Sequence, residues 1–254
     1  FRWYGGAFRR SLDTFTHFMV LNPSSAQLLA RLGHHNATVT GDPLFDNVIA
    51  VASTPYRNPI VERFAAGRPV FIAGSTSDRK DLELVCTLAN RHPDMRFIIV
   101  PHEISEEGLN RIRYHLRGPA RLYSECSETT DFQHTQTLII DFLGALAYLY
   151  RYGTWAYVGG GFTPYLHSII EPAVYGLPVA FGPKTRRKVT PRELAARGIG
   201  KVVRSAKELD NWLQAMQAHP ERLAAIKEAA SGYTRQNAGA TREIMHILTD
   251  GHEE

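Results

Sequence analysis

The sequence lacks several features that would assign it directly to a class of protein. Its 254 residues include two cysteines, Cys86 and Cys126, which stand far apart and in no metal-ligand spacing. That count excludes a disulfide framework and is typical of a reduced cytoplasmic protein. No secretory signal peptide is recognisable. The longest apolar run, Phe142–Tyr150, is less than half as long as the ~20 residues that a membrane span needs.

Two common site signatures are also missing. No strand-like segment is followed by the G-x-G-x-x-G fingerprint, which argues against an NAD-type site. The histidines are scattered, and His34-His35 has no other ligand residues nearby in sequence, so we predict neither a metal nor a cofactor. The net charge of +4 is weak for a nucleic-acid binder, and the basic loop over residues 184–188 lacks interleaved aromatics. A mildly basic chain does suit an anionic ligand or an acidic membrane surface.

An α/β pattern is what the sequence does contain. From Arg68 onward, short apolar runs alternate with amphipathic stretches, which predicts a doubly wound, Rossmann-like parallel sheet. The predicted strands are Arg68–Ala73, Met95–Val100, Ala120–Tyr123, Thr137–Ile140, Trp155–Val158, Val179–Phe181 and Lys201–Val203. The predicted helices are Asp78–Arg91, Glu106–Leu116, Leu143–Tyr150, Ile169–Tyr175 and Pro191–Arg197, with further helices from Ala206 onward.

The first fifty residues have a different pattern. We predict helices over Arg2–Phe15 and Ser24–Leu32, strands over Phe18–Leu21 and Thr38–Thr40, and a linker near Pro55–Pro59. We interpret residues 1–50 as the tail of a preceding domain plus a linker, and residues 51–254 as the ligand-binding domain. The chain begins without a methionine, which indicates a piece of a longer protein.

Two polar motifs follow predicted strands, where ligands of parallel sheets bind. Small Gly74-Ser75-Thr76 would let the backbone approach a phosphate, with helix-start amides and two hydroxyls as donors. An ordinary turn with Ser or Thr capping the next helix explains the same residues. Pro101-His102-Glu103 could contact a base, a ribose or a sugar, or form a solvated loop.

Three further motifs have two interpretations each. Gly159-Gly160-Gly161 opens room at the end of a strand for a ligand to lie against backbone. His167 and Glu171 are four residues apart, so both could face a cleft and Glu171 could bind ribose hydroxyls; Ser168 and Glu171 also fit a capping box. A basic loop is either a solvated face or an anion site; it contains Lys184, Arg186, Arg187 and Lys188.

The order of these motifs resembles one family, the bacterial 3-deoxy-D-manno-octulosonic acid (Kdo) transferases, and in particular their carboxyl-terminal part. The triple glycine and Arg151-Tyr152-Gly153 look like the Bacteroidetes branch. The ordered set is Gly41-Asp42-Pro43-Leu44-Phe45-Asp46, Gly74-Ser75-Thr76, Pro101-His102-Glu103-Ile104, Ile140-Asp141-x-x-Gly144, Val158-Gly159-Gly160-Gly161-Phe162, His167-x-x-x-Glu171-Pro172-Ala173, Phe181-Gly182-Pro183 and Asn237-Ala238-Gly239-Ala240-Thr241.

The resemblance implies a GT-B glycosyltransferase whose carboxyl-terminal domain holds the donor CMP-Kdo. It implies a metal-independent, inverting transfer to a lipid A precursor in lipopolysaccharide biosynthesis, by an enzyme bound peripherally at the cytoplasmic face of the inner membrane. Gly74–Thr76 and His102 would hold the nucleotide phosphate, and Glu171 the ribose. The family's proposed general base, a glutamate, lies in the amino-terminal half, so no residue of this chain is assigned as catalytic.

Other functions stay open at this point. The chain could be an isolated nucleotide-sugar-binding module without turnover, or another GT-B sugar transferase or epimerase. The opening helix could contact the membrane or could pack against a missing half of the protein. Its aromatics and arginines are Phe1, Arg2, Trp3, Tyr4, Phe8, Arg9 and Arg10.

Overall fold

The computed structural model describes residues 5–76, 78–185 and 188–250. The chain divides into two compact units. The first comprises Phe1–Ala50 together with Thr234–Glu254, and the second is Val51–Tyr233. In the described part of the chain, no helix is both long enough and apolar enough to cross a membrane.

The first unit contains a small parallel sheet. Strand β1 (Phe18–Val20) pairs with β2 (Ala37–Val39), so that Phe18 lies opposite Ala37. Neither strand contains a fully buried residue. The unit also contains α1 (Gly6–Leu12), α12 (Ala240–Asp250) and α2 (Pro23–Arg31), which packs against both strands, while α3 (Pro43–Ser53) leads into the second unit and α11 (Glu221–Gln236) leads back.

Local capping explains where α2 begins. The Asn22 side chain accepts a hydrogen bond from the Ser25 amide at 3.0 Å, and Pro23 occupies the first helical position, where a missing amide hydrogen costs nothing. The predicted helix in this region is confirmed. In α1, the side chains of Phe8, Arg9 and Arg10 are exposed; the preceding residues of the predicted opening helix, 1–4, lie outside the described residues.

One carboxylate ties the two segments of the first unit together. The Asp46 carboxylate accepts hydrogen bonds from the amides of Gly239 at 2.6 Å and Thr241 at 2.7 Å, at the start of α12. Residues 234–254, predicted to belong to the second domain, cluster in the structure with the first fifty. The bonds to Asp46 are a physical reason for that difference, because they join two motifs from opposite ends of the chain.

The second unit is built on a seven-stranded parallel sheet with the strand order β5-β6-β4-β3-β7-β8-β9. The predicted strands and the predicted parallel α/β fold are confirmed. The chain runs from β3 to β4 on one side and later from β7 to β9 on the other, so the switch point lies between β3 and β7. The strands are β3 (Val70–Thr76), β4 (Arg96–Pro101), β5 (Ala120–Leu122), β6 (Thr137–Ile139), β7 (Trp155–Val158), β8 (Val179–Phe181) and β9 (Gly200–Val202).

The core lies on the central strands. Phe71 pairs in register with Phe97 and Trp155, and the side chains of Phe71, Ile72 and Phe97 are fully buried. Burial on both faces explains why these strands are continuous apolar runs. The helices are α4 (Pro59–Ala65), α5 (Arg79–Arg91), α6 (Glu106–His115), α7 (Leu146–Leu149), α8 (Ile170–Val174), α9 (Thr190–Ala196) and α10 (Ala206–Ala218).

One predicted helix is much shorter than expected. The apolar run Phe142–Tyr150 predicted a buried helix, but α7 covers only Leu146–Leu149 and continues as a 3₁₀ turn. Gly144 has a φ of +89°, a left-handed conformation that ends helical geometry, and Leu143 is 76% exposed. Apolar residues before the glycine therefore form a surface loop rather than part of the core.

Candidate functional site

The carboxyl end of β3 contains Gly74-Ser75-Thr76 within the strand rather than in a turn after it. The pairing with β4 shifts register between Gly74 and Thr76, and Ser75 has a left-handed φ of 52°. Such a conformation is costly for a residue with a side chain and clusters at functional sites. A Cβ on Gly74 would overlap the Tyr150 hydroxyl, so only glycine fits there.

The hydroxyls of this motif do not cap the next helix. Asp78 is the N-cap of α5 and accepts hydrogen bonds from the amides of Lys80 at 2.8 Å and Asp81 at 3.0 Å. The buried Thr76 hydroxyl has no hydrogen-bond partner among the described residues. Ser or Thr capping, the alternative interpretation of Gly74–Thr76, is therefore absent, and phosphate binding by these residues stays a prediction.

The triple glycine at the end of β7 packs against the protein's own backbone. A Cβ on Gly159 would overlap the Ser75 carbonyl oxygen, and one on Gly161 would overlap the backbone of Gly182. Gly160 has a φ of +82° and lies against the Tyr165 carbonyl. Close chain packing thus accounts for these glycines, rather than open room, and their contact with a ligand stays a prediction.

A buried carboxylate fixes this glycine loop. Asp81, in the first turn of α5, has no exposed surface. Its oxygens accept hydrogen bonds from the Tyr157 hydroxyl at 2.6 Å and the Gly160 amide at 2.8 Å. The loop in turn receives a hydrogen bond from the His167 amide at the Gly159 carbonyl, 3.2 Å away. Asp81 therefore connects α5 to the segment that contains His167.

Two histidines and a lysine meet on three loops of the sheet. The rings of His102, after β4, and His167, after β7, lie with their centroids 4.3 Å apart. Lys188, after β8, donates a hydrogen bond from Nζ to the Leu166 carbonyl. Burial lowers the pKa of His167, and the charges of His102 and Lys188 lower it further. The group forms a donor-rich, basic corner that suits a phosphate oxygen.

The capping box predicted from Ser168 and Glu171 is not formed. Helix α8 begins at Ile170 with Ile169 at its N-cap, so Ser168 lies outside the helix and Glu171 one position early for a box. Burial raises the pKa of Glu171, and the Ser168 hydroxyl only partly opposes that shift. Complete burial raises the pKa of Tyr150, and the charge of Glu171 raises it further. A half-hidden carboxylate therefore lies near the ring that covers Gly74.

The remaining predicted residues divide between a cavity and the basic loop. Thr76, Pro101 and Glu103 line one cavity of about 240 Å³. The Lys184 amide donates to the Gly161 carbonyl at 2.8 Å, so the basic loop begins against the triple glycine. Arg186 and Arg187 lie outside the described residues. Among the residues that are described, no three His, Cys, Asp or Glu side chains gather closely enough to hold a metal ion.

Sequence reasoning missed Asp78, Asp81, Tyr150 and Tyr157. The first two had a usable signal, since an acidic residue followed three positions later by another, just before an apolar helix, fits a reciprocal capping pair. The two tyrosines had none, because each lies in an apolar run and its partner is distant in sequence.

Curated relatives support the resemblance that the motifs indicated. The chain is 28% identical over 98% of its length to a protein of Bordetella pertussis named 3-deoxy-D-manno-octulosonic acid transferase. The chain is therefore similar in sequence to Kdo transferases. It spans 59% of the length of that relative, and no protein-family model matches it. The resemblance found in the motifs is thereby confirmed for the family, whereas the Bacteroidetes branch stays a prediction.

Solved structures agree on the fold of this chain. The carboxyl-terminal CMP-Kdo binding domain of WaaA from Acinetobacter baumannii superposes with a TM-score of 0.61 at 20% identity, covering 77% of this chain and 100% of that one. The Anabaena protein HepE, solved with UDP-glucose, gives a TM-score of 0.57 at 14% identity over 93% of this chain and 65% of its own. The GT-B type Rossmann-like fold is confirmed.

Proposed function

We propose that this chain is the donor-binding part of a glycosyltransferase that moves Kdo from CMP-Kdo to a lipid A precursor in lipopolysaccharide biosynthesis. Its family supports the proposal, as does its fold, which it shares with a CMP-Kdo binding domain. The observation that carries it is the meeting of His102, His167 and Lys188 at the carboxyl ends of three parallel strands, with Glu171 on the helix that follows.

Each of these groups has a role that its surroundings favour. The histidine pair and Lys188 would bind the nucleotide phosphate, since hydrogen-bond donors and cations stabilise a phosphate that leaves with added charge. The Glu171 carboxylate is short of donors, and two ribose hydroxyls would supply them. Gly74-Ser75 would contribute backbone at the switch point between β3 and β7.

The reaction itself follows the resemblance. An acceptor hydroxyl loses its proton to a carboxylate and attacks the anomeric carbon, while the bond from that carbon to the phosphate oxygen breaks and CMP departs with inversion. The basic corner would replace a metal in stabilising the departing phosphate. We assign no catalytic base to this chain, because the resemblance places that glutamate in the amino-terminal half of the family.

The proposed acceptor also has a consequence for where the whole protein binds. A lipid A precursor is a bilayer lipid, so we propose peripheral binding at the cytoplasmic face of the inner membrane. The exposed Phe8 among Arg9 and Arg10 supports such contact, because aromatic rings bury at the acyl boundary while arginines meet anionic head groups.

Thermal unfolding with added nucleotides tests the donor assignment. CMP or CTP at about 100 times its dissociation constant should stabilise the chain by about 2.7 kcal/mol, and an excess of EDTA should leave this shift unchanged. UDP and NAD at the same concentration serve as controls and should give little stabilisation. Equal shifts with UDP would contradict the cytidine assignment, and loss of the CMP shift in EDTA would contradict metal independence.

A further inference from the structure

A polar cavity of about 240 Å³ lies between the amino-terminal ends of α5 and α6. Thr76 and Asp78 line it from the β3 side, and Pro101 and Glu103 from the β4 side. Its volume equals that of roughly eight water molecules at ~30 Å³ each, enough for a polyol fragment with several hydroxyls.

Two residues that line this cavity each carry a buried side-chain oxygen without a partner. Thr76 is 4% exposed, and its Oγ1 makes no hydrogen bond within the described part of the chain. The same holds for Oδ2 of Asp78, whose other oxygen, Oδ1, already caps α5. Buried polar atoms are nearly always paired, so two such atoms at one cavity point to a missing ligand group. Oδ2 of an ionised carboxylate accepts only, so that group must include a donor.

The charge of the cavity decides which kind of ligand fits. The carboxylates of Asp78, Glu103 and Glu107 outnumber the guanidinium groups of Arg79 and Arg111. One of those guanidinium groups is engaged already, because Arg111 pairs with Glu107. The excess of carboxylates therefore opposes a phosphate or carboxylate at this cavity, in contrast to the basic corner formed by the histidines and lysine. Uncharged hydroxyls satisfy both the charge and the need for donors.

We propose that this cavity binds the hydroxyl-bearing end of the donor sugar, an inference that rests on the proposed function. An octulosonic acid has its carboxylate next to the anomeric carbon and uncharged hydroxyls at the far end of the chain. Those far hydroxyls donate to Asp78 Oδ2 and bond to Thr76 Oγ1. The His102 amide donates to the Thr76 carbonyl at 3.1 Å, so the cavity adjoins the loop that carries His102. Thr76 is then a sugar contact rather than a phosphate contact.

Calorimetric titration of the chain with CMP, CMP-Kdo and free Kdo tests the assignment. Thr76→Val keeps the shape and removes the hydroxyl, and should weaken CMP-Kdo about 3- to 10-fold. Asp78→Asn keeps a good N-cap but loses the charged acceptor, and should weaken CMP-Kdo about 10- to 100-fold. CMP should change less than about twofold in both variants. Glu83→Gln makes the same charge change on the same helix at an exposed ion pair and should alter none of the three affinities.

The outcomes separate this inference from the proposed function. Equal losses for CMP and CMP-Kdo in Thr76→Val would place Thr76 at the phosphate and overturn the sugar subsite, as would no loss for either ligand. Absence of CMP binding by the unaltered chain would refute the proposed function alone. The titration with free Kdo then tests the sugar subsite. Weaker Kdo binding in Thr76→Val than in the unaltered chain would support the subsite, and unchanged or absent Kdo binding would overturn it. Thr76→Val also decides if Asp78→Asn fails to fold.

Discussion

Two carboxylates at the same edge of the sheet, Asp81 and Glu171, differ in how many hydrogen-bond donors surround them. Both lie in the first turn of a helix in the second unit and are largely hidden from water. Asp81 receives hydrogen bonds from the Tyr157 hydroxyl and the Gly160 amide. For Glu171, the Ser168 hydroxyl is the one group found to favour the charged form among the described residues, and burial outweighs it. A buried carboxylate with donors stabilises structure, whereas one short of donors is suited to a ligand.

The largest effect should follow from removing the satisfied carboxylate. Asp81→Ala leaves the Gly160 amide and the Tyr157 hydroxyl without an acceptor, at about 1–3 kcal/mol each, so we expect the free energy of unfolding to fall by about 2–5 kcal/mol. Urea denaturation measures it. Tyr157→Phe removes one donor of Asp81 and keeps the bond from the Gly160 amide, so it should cost less, about 1–3 kcal/mol. An equal loss of unfolding free energy in Asp81→Ala and Tyr157→Phe would contradict the structural role of the Asp81 carboxylate.

The unsatisfied carboxylate should matter for binding instead. Glu171→Gln removes a charged acceptor of ribose hydroxyls while keeping the size of the side chain, so CMP affinity should fall about 10- to 100-fold. The same variant should leave the free energy of unfolding within about 1 kcal/mol of the unaltered chain at pH 7. Calorimetry and urea denaturation on one preparation give both values. Unchanged CMP affinity would show that Glu171 has no part in the nucleotide site.

The smallest effect is a difference in pH dependence. The pKa of Glu171 is raised in the folded chain, so its ionisation costs stability as the pH rises above about 4.3, the ordinary value for glutamate. The stability of Glu171→Gln relative to the unaltered chain should therefore increase with pH up to the raised pKa and then level off.

A matched carboxylate with the opposite shift provides the control for that experiment. Burial opposes ionisation of Asp210, but hydrogen bonds from His92 and Arg91 outweigh burial and lower its pKa. Its contribution to stability is present above the ordinary aspartate value and is lost as the pH falls through the lowered pKa. Asp210→Asn should therefore lose relative stability as the pH rises. Slopes of the same sign for the Glu171 and Asp210 variants would contradict the contrast.

The sequence predicted the fold of the second unit well, because strands buried on both faces are continuous apolar runs such as the one around Phe71. It missed α3 and α4, and Pro59 in the first turn of α4 was interpreted as part of a linker. For α4 the signal was present, since Asn58 accepts a hydrogen bond from the Val61 amide as an N-cap just before a proline.

The candidate site was only partly predictable. Motif order named His102 and His167, but their contact depends on strand order, which places β3 between β4 and β7. Spacing suggested a Ser168 cap, yet spacing cannot show at which residue a helix begins. The triple glycine looked open because sequence does not reveal whether a ligand or another loop of the same chain occupies the space beside it.

The bonds from Asp46 to the start of α12 have a consequence for synthesis on the ribosome. Asp46 and Gly239 are 193 residues apart, so at about 5–20 residues per second the acceptor waits roughly 10–40 s for its donors to be made. All of the second unit is translated in that interval and can fold before α12 exists. Contacts across such a separation are slow to form because loop closure must come first. The first unit is therefore completed after the second, although residues 1–50 are translated before the second unit.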